Sequence, residues 1–341
     1  MMSGTSLDGI DLCLCQFNKT ENKTSFKILA AETIQYEKKW KEILSNIHKA
    51  SAKDYFETNA LYGKFIAEKI INFLHKNNLT ADYIASHGHT VFHQPQLGYS
   101  TQIGCGATIA ALTGIDTICD FRSLDVALGG QGAPLVPIGD RDLFGDNEAC
   151  LNLGGIANIS FSKNNQTLAF DICMFNLVLN YITKKINLEY DAFGQLASIG
   201  KINLNLLKDL LNIQTHFKSL GREFFENEFL PILEGIELST NDKLASCVEY
   251  MVIKITTTIH ENNLKSILIT GGGAYNTFFV HQLRKRFDGI VNVPSADIIE
   301  FKEAIIFAYL GYLRIHEEVN TLKSVTKSSR DSIGACVYKS L

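Results

Sequence analysis

MMSGTSLDGID, residues 1–11, is the stretch on which the reading of this chain turns. Gly4 and Gly9 let the backbone turn tightly and expose its amides. Thr5 and Ser6 add hydroxyls, and consecutive exposed amides form a cradle for an anion. Leu7 completes the loop, and Ile10 opens an apolar strand. Asp8 and Asp11 supply carboxylates that reach a cation through its bound waters. The set suits a phosphate with magnesium. Alone it is also an ordinary polar turn. Its weight rises because Gly154-Gly155 and Gly271-Gly272-Gly273 are further glycine turns in matching contexts.

Working outward, apolar alternation predicts strands at 10–17, 83–85, 101–103, 116–119, 149–153, 156–161, 168–170 and 266–270. Helical spacing falls at 55–76, 107–113, 176–185, 204–212, 242–260, 276–286 and 303–316. This alternation is α/β. Strand, small-residue turn and strand recur around Gly4 and Gly154, a hint of internal duplication. No G-x-x-x-x-G-K-[ST] and no strand-borne G-x-G-x-x-G is present, which disfavours Walker-type NTPases and dinucleotide-binding folds.

The 341 residues suggest two domains, divided at 1–145 and 146–341. A net charge of −4 argues against nucleic acid as a partner. No apolar run approaches the ~20 residues of a membrane span, and no signal peptide is visible. Eight scattered cysteines form no C-x-x-C pair and read as reduced thiols of a cytoplasmic protein.

The segments MSGTSLDGID, SHGHTVFHQP, TQIG, DFRSLDVALGGQGAPLVP, LNLGGIANIS, KSLGREFF and TGGGAYN occur in one order from Met2 to about Tyr338. Together they resemble the anhydro-N-acetylmuramic acid kinases. The resemblance implies a two-domain actin/hexokinase-like (ribonuclease H-like) ATPase fold with an interdomain cleft. It implies that ATP, with Mg2+, phosphorylates 1,6-anhydro-N-acetylmuramic acid while water opens the anhydro ring. The product is N-acetylmuramic acid 6-phosphate, in peptidoglycan recycling. A homodimer is implied by the family alone.

By the same resemblance, residues 4–11 form a first phosphate loop, Gly154 and Gly155 a second, and Gly271, Gly272 and Gly273 an adenosine-side turn. Asp171, expected at a strand end, takes the position of the family's catalytic aspartate and would deprotonate the attacking water. A lone Asp there also reads as a helix N-cap, a task open to Asn176 instead. On the sugar side, His87, His89 and His93 lack a fourth partner for a metal, so hydrogen bonding to sugar or packing is favoured. Asp120 and Arg122 suit sugar hydroxyls and a carboxylate; an Asp120–Arg122 pairing is an equal alternative. Gln102, Gly130 and Gly132 are placed behind them.

Two departures stand out. Where the family reads FDTGPGN or FDTGPAN, this chain reads Phe170-Asp171-Ile172-Cys173-Met174-Phe175-Asn176. Met174 and Phe175 are expected to crowd the sugar or the γ-phosphate, although the following helix N-terminus still suits an anion. This keeps open a weak or inactive paralogue, or a kinase for another sugar. Only Met1 precedes the MSGTSLDG motif, which puts the start upstream or the first strand short.

Overall fold

A computed structural model describes residues 1–4, 7–21, 23–214 and 220–340. Two compact units form, one from residues 1–143 with 301–341 and the other from 144–300. This differs from the expected division at 146–341.

In the first unit, β1 (Gly9–Lys19) pairs antiparallel with β2 (Thr24–Gln35). A second sheet runs β12-β6-β3, built from β3 (Tyr83–Ser86), β6 (Asp116–Cys119) and β12 (Cys336–Tyr338). β4 (His89–Gln94) and β5 (Tyr99–Ile103) form a hairpin. Met2 bridges to Asp11 and Ser3 to His89, so the first residues join β1 to β4. Helix Ala52–Asn77 starts where Ser51 accepts from the Asp54 amide at 3.2 Å and ends at Asn78 in a left-handed conformation. Its inner face presents Tyr62, Ile66, Ile70 and Phe73 to a core shared with Ile10 and Leu12.

The C-terminal segment belongs here for two reasons. β12 pairs antiparallel with β6, Cys336 opposite Cys119. Helix Ala296–Ile315 carries Phe307 onto the His87 ring at 4.6 Å and Lys302 onto Asp140 at 2.7 Å. A cavity of about 470 Å³ also lies in this unit, lined in part by Leu12, Cys15, Ile84 and Gly311; none of the expected site residues lines it.

The second unit is built on a five-stranded sheet ordered β11-β10-β7-β8-β9. Its strands are β7 (Ala149–Leu153), β8 (Ile156–Lys163), β9 (Gln166–Met174), β10 (Ser266–Thr270) and β11 (Ile290–Asn292). β10 runs parallel to β7 and β11, while β7, β8 and β9 are antiparallel neighbours. The short apolar runs of β7 and β10 suit central strands buried on both faces. Helix Thr240–Glu261, capped by Ser239, packs against the sheet and buries Leu244, Val248, Met251 and Ile255.

Lys302 and Asp140 are both buried, with side chains 6% and 9% exposed. Removing one partner takes this ion pair from a charge that stays buried. Lys302→Met is expected to lower unfolding free energy by about 3–5 kcal/mol, and adding Asp140→Leu should recover much of it; urea denaturation of both variants checks this.

Candidate active site

In the second unit, three glycine-bearing or acidic segments converge on one helix start. The β7–β8 turn places the Gly154 carbonyl on the Asn176 amide at 3.1 Å, and the Gly155 carbonyl on those of Phe175 and Leu177 at 2.9 and 3.1 Å. The amides that open helix Asn176–Lys184 are therefore already taken. They do not face an anion as the sequence suggested. The N–H groups of Gly154 and Gly155 have no hydrogen-bond acceptor among the described residues. The open amides thus lie on the turn rather than on the helix.

Asn176 donates from Nδ2 to the Leu153 carbonyl at 3.2 Å instead of capping the helix. Gly271 adopts φ 78°, which favours glycine, and an added Cβ there would meet Asn152 Oδ1 at 2.6 Å. A Cβ on Gly273 would meet the Phe175 ring at 2.4 Å and Leu153 Cβ at 2.6 Å. Gly272 is different: it is exposed, and its nearest neighbour would be Asn176 Nδ2 at 3.9 Å.

Asp171 lies inside β9, not at the end of a strand, because β9 continues to Met174. The register shifts between Ala157 and Asn158: Ala157 faces Cys173 and Asn158 faces Asp171, leaving Ile172 as the extra residue. Such bulges re-aim side chains. Asp171 stays half-buried, and its Oδ2 accepts from the Leu220 amide at 3.0 Å. Burial pushes its pKa up, and that hydrogen bond opposes the shift. It caps no helix. Met174 and Phe175, expected to crowd a ligand, are both fully buried, and Phe175 packs edge-on against Phe279 at 4.8 Å. The bulge and the helix start turn both side chains into the core. Of the motif KSLGREFF, Lys218 and Ser219 lie outside the described residues, while Leu220 supplies the amide to Asp171.

In the first unit, Thr5 and Ser6 lie outside the described residues. Gly4 and Leu7 flank them, with Leu7 at φ 60°. Asp8 is exposed, and its carbonyl accepts from the Tyr36 amide at 3.3 Å. Gly9 is tightly required, since a Cβ would meet the Ile34 carbonyl oxygen at 2.4 Å. The Ile10 side chain belongs to the core. Asp11 accepts from the Thr33 hydroxyl at 2.6 Å.

The sugar-side residues fall into separate groups. Arg122 donates to His87 Nε2 at 2.8 Å and to the Gly132 carbonyl at 2.6 Å. Since Arg only donates, His87 carries its proton on Nδ1, which reaches the Gly88 carbonyl at 2.9 Å. Burial, reinforced by Arg122, pushes the His87 pKa down to about 3, so it is neutral at physiological pH. Asp120 does not pair with Arg122. It adopts φ 57° and accepts from the Ser123 hydroxyl at 2.6 Å, holding the turn into helix Ser123–Ala127. His93 and Gln102 meet on Ser100 Oγ, at 3.1 and 2.9 Å, across the β4–β5 hairpin. His89 contacts Ser3.

Gly130 and Gly132 serve a clamp. Buried Asp125 accepts from the Gly132 amide and the Thr326 hydroxyl, each at 2.7 Å, and a Cβ on Gly130 would meet Asp125 Oδ2 at 2.2 Å. The sequence reading missed Asp125 and also Glu303. Glu303 touches solvent, yet the surrounding protein pushes its pKa up. Lys302 and Arg122 favour its charge, while Asp11 and Asp140 oppose it. The signal was the carboxylate of Glu303 immediately before the apolar run Ala304–Leu310. Among the described residues no group of three His, Cys, Asp or Glu side chains is placed to hold a metal.

A family model described as Anhydro-N-acetylmuramic acid kinase matches residues 1–339. Curated relatives of that name are similar over nearly the whole length. The protein of Sulfurimonas denitrificans is 32% identical over 367 residues, covering 99% of this chain and 98% of its own. That of Synechococcus elongatus is 34% identical over 377 residues, with coverage of 99% and 98%. That of Aliivibrio fischeri is 33% identical over 370 residues, again 99% and 98%. Likeness to solved structures is remote. A ROK hexokinase from Thermus thermophilus gives TM-score 0.39 at 8% identity, covering 88% of this chain and 100% of that one.

The neighbouring glycines Gly272 and Gly273 should separate binding from folding. Gly272→Leu is expected to leave the urea midpoint unchanged and to weaken ATP binding at least tenfold by calorimetry, about 1.4 kcal/mol. Gly273→Ala should lower stability by about 1–3 kcal/mol.

Proposed function

The chain belongs to the anhydro-N-acetylmuramic acid kinase family, and on that premise we propose how its residues divide the work. It is a sugar kinase that uses ATP and water to open and phosphorylate 1,6-anhydro-N-acetylmuramic acid, giving N-acetylmuramic acid 6-phosphate in peptidoglycan recycling.

Asp171 is the base. Its carboxylate takes a proton from water, whose oxygen bonds to C1 of the sugar. The C1–O6 bond breaks with its electron pair going to O6, and O6 bonds to the γ-phosphorus while ADP leaves. The carrying observation is the environment of Asp171: half-buried, with one oxygen held by the Leu220 amide and the groups that act on its charge being burial and that amide. A carboxylate so placed keeps the basicity that a close cation would remove. The unclaimed amides of Gly154 and Gly155 suit phosphate oxygens. Residues 4–11 would serve the phosphates, with Asp8 and Asp11 the carboxylates that would hold Mg2+, whose charge would offset theirs. Gly271, Gly272 and Gly273 take the adenosine side. His89, His93, Gln102, Asp120 and Arg122 serve the sugar; Arg122 Nε, buried and without a partner among the described residues, is the unspent donor there. ATP as phosphate donor favours the cytoplasm.

A homodimer is supported by apolar exposure in one stretch of the second unit: Tyr190 is 60% exposed, Phe193 56%, Ile199 71% and Leu204 75%. Light scattering on the purified chain should give twice the mass of one copy, and Ile199→Asp with Leu204→Asp should give a monomer of unchanged circular dichroism. A monomeric parent protein rejects the dimer.

Asp171→Asn should retain sugar and ATP binding and lose about 100- to 10,000-fold in turnover. Because the Asp171 pKa is raised, activity should fall with decreasing pH at a point above the ordinary value of 3.8. A variant within a few-fold of the parent in ring opening, followed by mass spectrometry of the sugar product, sinks the assignment.

A further inference from the structure

Three hydroxyls lead from the core to His89. Tyr62 OH contacts Tyr36 OH, which lies 2.7 Å from Ser3 Oγ, which lies 3.2 Å from His89 Nδ1. All four residues are buried: Tyr62 is 0% exposed, Tyr36 4%, Ser3 2% and His89 4%. Each hydroxyl has one proton to give, so the chain has only two consistent directions.

In one direction His89 Nδ1–H donates to Ser3, Ser3 to Tyr36, and Tyr36 to Tyr62. Tyr62 then has to donate elsewhere; Tyr36 is the hydroxyl at hydrogen-bond distance, and Ser3, which also acts on Tyr62, is left only as a longer contact. A buried O–H would be left without an acceptor at hydrogen-bond distance, which proteins avoid. In the other direction Tyr62 donates to Tyr36, Tyr36 to Ser3, and Ser3 to His89 Nδ1. Every donor is satisfied. Burial keeps both phenols protonated and holds the His89 pKa at about 4, so a neutral imidazole receives this chain.

We propose that the Tyr62–Tyr36–Ser3 chain fixes His89 with its proton on Nε2, making it a hydrogen-bond donor to a sugar oxygen that has no proton of its own, such as an ether or carbonyl oxygen. The sugar contact rests on the reading of His89 as a substrate residue; the proton placement does not. Tyr62, Tyr36 and Ser3 are positioning residues acting through His89. His87, two residues away, is held in the opposite tautomer by Arg122. The adjacent histidines therefore present different faces, and an exchange of the two would not be neutral.

The test uses the full chain labelled with 15N-histidine. Long-range 1H–15N spectra distinguish the two ring nitrogens, and His89→Gln assigns the signal by its loss. The parent protein should show Nε2 protonated. Ser3→Ala should give a mixture of tautomers, with KM for the anhydro sugar raised in proportion to the lost Nε2–H population, about twofold for an even mixture, and KM for ATP unchanged. Tyr62→Phe should retain the parent tautomer, because Tyr36 becomes the new end of the chain and still donates inward. His89→Gln, which keeps an N–H donor, should hold the sugar KM within a few-fold, whereas His89→Leu should raise it about tenfold. A parent signal with Nδ1 protonated, or a Ser3→Ala spectrum identical to the parent, overturns the relay. A shifted tautomer with unchanged sugar KM in both Ser3→Ala and His89→Leu overturns the sugar contact instead.

Discussion

The second unit depends on a hydrogen-bonded docking of a turn onto a helix. Two carbonyls, of Gly154 and Gly155, accept from the first amides around helix Asn176–Lys184. Those amides would otherwise be open donors at a helix start. Spending them on the β7–β8 turn fixes where the helix begins, and therefore where Phe175 enters the core. Gly273 has to lack a side chain because Phe175 and Leu153 occupy that space. One local bond pattern thus sets the position of the turn, the helix and the second glycine loop together.

The same pattern explains the replacement of a small, proline-containing segment by Ile172-Cys173-Met174-Phe175. Ile172, Cys173, Met174 and Phe175 are all buried. Strict alternation would send every second side chain to the opposite face of the sheet. The register shift opposite Ala157 and Asn158 removes that alternation and leaves Asp171 half-buried. Bulk added here enters the core, where Phe175 packs on Phe279.

Much of the scaffold was legible from residue order. β6, β7 and β10 end where apolar runs meet Asp120, Gly154 and Gly271, and their limits were read to the residue. β2 was missed because its half-exposed pattern, TSFKILAAETIQ, pairs only with β1 and lacks a continuous apolar face. The position of Asp171 was misread because a bulge leaves no mark in composition. The role of Asp125 was invisible because it lies in a partner distant in sequence, Thr326, and that of Glu303 because the charges acting on it include Arg122, Asp11 and Asp140 from far along the chain. Arg122 and Asp120, neighbours in sequence, diverge because Asp120 turns through φ 57° and commits its carboxylate to Ser123.

The return of residues 301–341 to the first unit has a consequence for biosynthesis. The second unit, residues 144–300, is one uninterrupted run and has all its strands once that run has been translated. The first unit begins earlier and finishes later. β6 emerges long before β12, its antiparallel partner, and Asp140 before Lys302. Domains tend to fold as units during synthesis. Here the N-terminal residues have to remain an open intermediate on the ribosome, with one edge of β6 not yet paired to β12, until the last part of the chain is released.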